Sequence, residues 1–144
     1  MHYNKTHHCE AAVIACMDFR FHRATVGFIE NELGIIDYDL ITEAGGVKGL
    51  AEDEKVILDE IKKHLDISLN LHHSKHIILV NHEDCGAYGG SKRWGDLKAE
   101  KKYHDDDLKK AVKVLQKLYP EQHITAIYAY FNEFGGISHE VVVK

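Results

Sequence analysis

Ala11-Ala12-Val13-Ile14-Ala15-Cys16-Met17-Asp18-Phe19-Arg20 and Ile77-Ile78-Leu79-Val80-Asn81-His82-Glu83-Asp84-Cys85-Gly86 decide how this chain reads. Each opens as a short apolar run without alternation, the pattern of a strand buried on both faces of a parallel sheet. Each then gives way to cysteine, histidine and charged residues where the strand should end. In an open parallel α/β sheet, ligands bind beyond the carboxyl ends of the strands. If the first and third strands are neighbours, Cys16, His82 and Cys85 meet at one edge, with Asp18 and Arg20 beside them.

The flanking sequence supplies the rest of such a sheet. After Arg20, Phe21, Thr25, Phe28, Ile29 and Leu33 recur at helical spacing, and Gly34 stops that helix. Residues 38–42 read as a second strand, leading into Glu43-Ala44-Gly45-Gly46, a turn that brings bare backbone close to a neighbour. A helix is predicted over 52–69, its core stripe being Val56, Ile57, Ile61, Leu65 and Leu69. The third strand covers 76–80, and a glycine-rich loop follows it, in which Lys92, Arg93 and Trp94 read as solvated surface with one packed aromatic. A third helix is expected from about Asp106, whose neighbouring aspartates suit a positive helix N-terminus. Residues 124–131 form a fourth strand, turned by Asn132 to Gly136 into an edge hairpin over 137–143. Strand–helix units followed by a hairpin predict one α/β domain over residues 1–144. Its core is a mainly parallel sheet of four to five strands with flanking helices and a C-terminal edge hairpin.

Composition narrows the function. A formal charge of -5 offers no general attraction to nucleic acid or to an anionic membrane. The apolar runs are far shorter than a membrane span, and the polar N-terminus has no signal-peptide pattern. Three cysteines, an odd number, argue against a disulfide framework and fit the reducing cytoplasm. Among twelve histidines, His7-His8 and His72-His73 read as solvated surface, with adventitious metal binding second and no catalytic role. Cys9 reads as a free thiol, since a fourth ligand would close the metal site.

The strand-end residues fit zinc. Zinc favours thiolate and imidazole in a tetrahedral arrangement, and a catalytic site keeps one of four positions open. His82 and Cys85, three residues apart, can aim at one point, and Cys16 arrives from the neighbouring strand end. Asp18 can then reach the metal or accept a hydrogen bond from its bound water, while Arg20 holds the carboxylate ionised. Cysteine nucleophile chemistry without metal fits less well, because a phosphatase-type loop places five residues between Cys and Arg and only three separate Cys16 from Arg20.

Cys16-Met17-Asp18-Phe19-Arg20 with His82-Glu83-Asp84-Cys85-Gly86 resembles the β-class carbonic anhydrases, whose signature is Cys-x-Asp-Ser-Arg followed by His-x-x-Cys-Gly. Ala44-Gly45-Gly46 is similar to the family's Asn-Ala-Gly turn. The resemblance implies a zinc-dependent lyase that hydrates carbon dioxide reversibly to bicarbonate through zinc-bound hydroxide, working as a homodimer or a higher homo-oligomer. It makes Cys16, His82 and Cys85 the zinc ligands, and Asp18 and Arg20 the catalytic dyad. In a closed form known in part of the family, Asp18 fills the fourth zinc position and Arg20 loses its partner. Phe19 stands where the family has serine, and Glu43 where it has asparagine. Two other outcomes keep the zinc site: a substrate related to carbon dioxide, such as carbonyl sulfide or carbon disulfide, and a zinc-binding scaffold without hydration activity.

Overall fold

The structure, a computed structural model, describes residues 5–144, so the first four residues of the predicted polar lead-in lie outside it. Eleven elements follow one another. β1 (Ala11–Ala15), α1 (Phe19–Asn31) and β2 (Tyr38–Thr42) come first, then α2 (Lys48–Ala51), α3 (Lys55–Asn70) and β3 (His76–His82). Two single 3-10 turns (Gly86–Tyr88 and Ser91–Arg93) lead into α4 (Leu97–Leu118), β4 (His123–Phe131) and β5 (Ile137–Val143).

The five strands form one sheet in the order β2-β1-β3-β4-β5. All neighbours are parallel except β5, which closes an antiparallel hairpin on β4. β1 therefore lies beside β3, the adjacency on which the expected site depends. In register, Ala15 sits opposite Val80, so Cys16 and His82 emerge at the same edge.

Burial explains the runs without alternation. Every residue of β1 is buried. Ala12 and Ile14 face a core with Ile61 and Leu65 of α3 and Leu108 and Leu115 of α4. Val13 and Ala15 face the other layer, where Phe21 and Ile29 of α1 pack against Ile78 and Val80. With helices on both faces, each strand position meets apolar side chains whichever way it points.

Two helix starts differ from the sequence reading. The helix expected over 52–69 is α3, which begins three residues later, at Lys55, because the chain first turns through Asp53, whose φ of 57° is left-handed, after the short α2. Val56 is 81 % exposed, while Ile61 and Leu65 are fully buried. Ile57, Ile61 and Leu65 share a face at four-residue spacing, and Val56 lies about 100° away from it. α4 begins nine residues before the expected Asp106, at Leu97. Asp96 is its cap, accepting the Ala99 N–H at 2.7 Å. Asp105 and Asp106 instead sit mid-helix and pair with Lys101 and Lys102 one turn earlier, both at 2.6 Å.

The early start of α4 carries His104 into the core. Its ring is fully buried, and its Nδ1 accepts from the Asn81 amide at 3.0 Å. Burial in this apolar setting pushes the ring down to about 4, so it stays neutral. The unfolded chain, with an ordinary histidine near 6.5, binds the extra proton between those values. Stability contributed by His104 is therefore complete above about pH 6.5 and declines as pH falls towards 4, by roughly 3 kcal/mol over the window. Urea unfolding at pH 7 and pH 4.5 should show this loss, and a His104→Gln protein should show a shallower one.

Candidate metal centre

Cys16 follows the last residue of β1, His82 ends β3, and Cys85 stands at the start of the first 3-10 turn. One donor atom from each lies within 4.8 Å of the others. The two sulfurs are 3.9 Å apart. His82 and Cys85 are buried, and Cys16 is half-buried at the cleft. The backbone reversal between the last two runs through Asp84, with φ of 55°. It turns the chain so that residues three apart aim at one point.

The protonation pattern suits metal ligation. The Cys16 thiol is lowered to about 4, chiefly by the hydrogen bond from Cys85, with help from the Gly45 N–H. Gly45 donates to the Cys16 sulfur at 3.4 Å. Cys85 is raised in turn, because it holds the proton shared between the sulfurs and is buried beside the Cys16 charge. On His82, Nδ1 lies 2.7 Å from the Glu83 carbonyl, which can only accept, so Nδ1 carries the proton. Nε2 is left with its lone pair, buried and without a hydrogen-bond partner. Such a backbone carbonyl behind the ring fixes the tautomer of a metal-ligating histidine. The ring is further held by Phe21, stacked at 4.3 Å. Two sulfurs and an imidazole with a free buried lone pair fit a borderline-soft divalent ion.

Asp18 and Arg20 form the opposite wall. Asp18 caps α1, its Oδ1 accepting the Arg20 backbone N–H at 2.9 Å. The same carboxylate takes the Arg20 guanidinium through Nε at 3.0 Å and Nη2 at 2.7 Å. These contacts hold the Asp18 carboxyl below the usual carboxylate range. Its Oδ2 lies 3.8 Å from His82 Nε2, so the paired carboxylate still faces the centre.

Arg20 is fixed by a residue the sequence reading left without a role. Asp84 receives Nη1 at 2.9 Å on its side chain and Nη2 at 2.9 Å on its carbonyl. Asp84 is itself seated by the Ser91 N–H at 2.8 Å and by its own N–H to the buried Glu100 at 2.6 Å. The signal was present in the sequence, since Asp84 lies inside the His-x-x-Cys segment and Arg20 needs two acceptors to be held flat.

The turn after β2 fits closely. A Cβ on Gly46 (φ 59°) would stand 2.6 Å from Asn81 Oδ1 and 2.7 Å from the Val80 carbonyl. Only glycine allows this approach, which aims the Gly45 N–H at Cys16. Cys9 does not join the centre, because it lies before β1 while Cys16 follows it. Lys92 and Arg93 are exposed and Trp94 packs on Tyr103, as expected of a solvated loop with one packed aromatic, and Arg93 also stacks on Trp94 at 4.4 Å and donates to the Tyr88 carbonyl. Phe19, between the two members of the dyad, is 86 % exposed at the cleft rim.

A family model described as "Putative carbonic anhydrase" matches residues 6–138. An uncharacterized protein of Rickettsia bellii is 26 % identical over 149 residues, covering 97 % of this chain and 86 % of its own. Among solved structures, the β-carbonic anhydrase isoform I of Trichomonas vaginalis superposes with a TM-score of 0.58 at 19 % identity, covering 98 % of this chain and 87 % of that one. A tetrameric β-carbonic anhydrase of Sordaria macrospora gives 0.54 at 15 % identity, with 91 % and 80 % covered. The sheet and its helices are those of the β-carbonic anhydrase fold.

Proposed function

The chain belongs to the carbonic anhydrase family matched over residues 6–138, and we propose that it hydrates carbon dioxide reversibly to bicarbonate, with zinc held by Cys16, His82 and Cys85. The observation that carries this reading is the convergence of those donors within 4.8 Å beside a formed Asp18–Arg20 pair. Bound there, zinc supplies the Lewis acidity that makes water a nucleophile near neutral pH.

The protein's own groups do the positioning. Cys16 enters as a thiolate, and His82 presents Nε2 because Glu83 holds the proton on Nδ1. Asp18, with its pKa depressed by Arg20, is a poor base near neutral pH. Its role is to accept a hydrogen bond from the reacting water and turn a lone pair towards the carbon. The proton released leaves for solvent through the open cleft bordered by Arg20, Asp84 and Gly86. Arg20 keeps Asp18 in its seat and away from the sulfurs, which supports the open arrangement over the closed one. Free thiols at Cys16 and Cys85 suit a reducing compartment, and the cytoplasm remains the proposed location. Among the described residues no helix is long and apolar enough to cross a membrane.

A second copy of the chain is the proposed partner. Met17 and Phe19 flank Asp18 and are 70 % and 86 % exposed apolar surface, and Phe19 borders the cleft. Sedimentation equilibrium should return at least twice the chain mass; a monomer would remove this part. Stopped-flow hydration of carbon dioxide by the zinc-loaded protein across pH 7 to 9 tests the reaction. A rate above the buffer blank that rises with pH is expected. Bound zinc with no rate above the blank overturns the enzymatic reading in favour of a scaffold, and turnover of carbonyl sulfide or carbon disulfide alone would reassign the substrate.

A further inference from the structure

The far end of the sheet carries another set of donors. Cys9 precedes β1, Asp39 is the second residue of β2, and His72 follows α3. Asp39 Oδ2 lies 3.4 Å from Cys9 Sγ and 2.7 Å from His72 Nδ1. One donor atom from each of these residues again falls within 4.8 Å of the others. Seven residues of near-extended chain, about 23 Å, separate Cys9 from Cys16, so the two clusters are independent.

We propose that Cys9, Asp39 and His72 form a second zinc site, structural in character. The inference does not rest on the chemistry proposed for the Cys16 centre. Its first support is donor chemistry: a sulfur, an imidazole nitrogen and a carboxylate oxygen are three ligand types that zinc accepts together. A plain His72–Asp39 ion pair has no need of a thiol directed at the same carboxylate oxygen. The second support is preorganisation. The Cys9 N–H donates to the His72 carbonyl at 3.0 Å, the Glu10 N–H to the Asp37 carbonyl at 2.8 Å, and the Lys75 N–H to the Glu10 carbonyl at 3.2 Å. The segments bearing the three donors are thus stitched together by backbone before any metal arrives.

A fourth donor is at hand. The His7 ring stacks on that of His72, with centroids 5.7 Å apart, and His8 stacks on His73 at 4.7 Å. His7 sits two residues from Cys9 on the chain leading into β1 and already lies against His72, which makes its imidazole the proposed fourth ligand. On metal entry the His72–Asp39 hydrogen bond is exchanged for two metal bonds, the neutral His72 ring carries its proton on Nε2, and the Cys9 proton passes to solvent. The bound ion would cross-link the incoming chain, the start of β2 and the α3–β3 connection.

Zinc titration of the metal-free full-length chain against a chromophoric chelator tests this. About two equivalents per chain are expected, one for each three-donor set. Cys9→Ser and His72→Ala should each weaken one equivalent by at least the roughly 10- to 100-fold that loss of even an outer partner costs, and leave the other intact. Cys16→Ser should remove the complementary equivalent; if that protein fails to fold, Cys9→Ser still decides, since its residue lies away from the first centre. With cobalt, the equivalent lost in Cys9→Ser should carry a thiolate charge-transfer band. A single equivalent in the wild type that survives Cys9→Ser would overturn the proposal, whereas a single equivalent lost in Cys9→Ser would uphold it and count against the Cys16 centre instead. A second equivalent that survives Cys9→Ser but is lost in His7→Ala/His8→Ala would also overturn it, because surface histidines alone would then be holding it.

Discussion

Replacing Cys16 by serine should strip the first zinc from the protein and return carbon dioxide hydration to the buffer rate. The substitution trades a sulfur whose proton is already largely lost, with Cys16 lowered to about 4, for a hydroxyl that does not ionise near neutral pH. It also leaves the Gly45 N–H, which points at that sulfur from 3.4 Å, with a weaker and shorter acceptor. The remaining His82 and Cys85 cannot hold zinc with comparable affinity, since three protein ligands are the working minimum of catalytic zinc sites. Elemental analysis after desalting, paired with stopped-flow assay, checks the result. Retention of full metal at the first centre would remove Cys16 from the ligand set.

Asp18→Asn should separate binding from turnover. Zinc should stay at the wild-type level, because Asp18 pairs with Arg20 and is not among the clustered donors. Hydration should fall by about 10²- to 10³-fold, the cost of losing one positioned polar group at a reacting centre. Asparagine caps helices about as well as aspartate, so the fold should be little changed, whereas Asp18→Ala should lose the same activity and a further ~1 kcal/mol of stability. Activity of both variants within a few-fold of wild type would take Asp18 out of the reaction. The comparison between Asn and Ala matters because the same carboxylate serves helix α1 and the site.

The sheet was legible because burial on both faces leaves an unmistakable trace: β1 and the Ile77–Val80 run of β3 contain no polar position before the strand ends. The site was legible for a related reason, since polar residues at those ends stand out against the runs that deliver them. The helices were harder to bound. The triplet Asp105-Asp106-Asp107 resembles a helix start, yet Lys101 and Lys102 neutralise two of its members and Tyr88 donates to the third at 2.9 Å. The true start, Asp96, is a single residue behind Gly95, with nothing in its neighbourhood to raise it above other aspartates. Asp84 and Glu100 escaped notice because their importance lies in a relay of contacts, from Glu100 through Asp84 to Arg20, between segments distant in sequence. The Cys9 cluster was invisible for the same reason, its donors coming from positions 9, 39 and 72.

Because one Asp18 oxygen accepts both the Arg20 guanidinium and the Arg20 backbone N–H, the site and the first turn of α1 share a fastening. Any event that draws that carboxylate inward leaves the leading amide of α1 without its acceptor. Solvent exchange of a single backbone hydrogen, that of Arg20, thereby becomes a gauge of where the carboxylate resides, readable without substrate and without turnover.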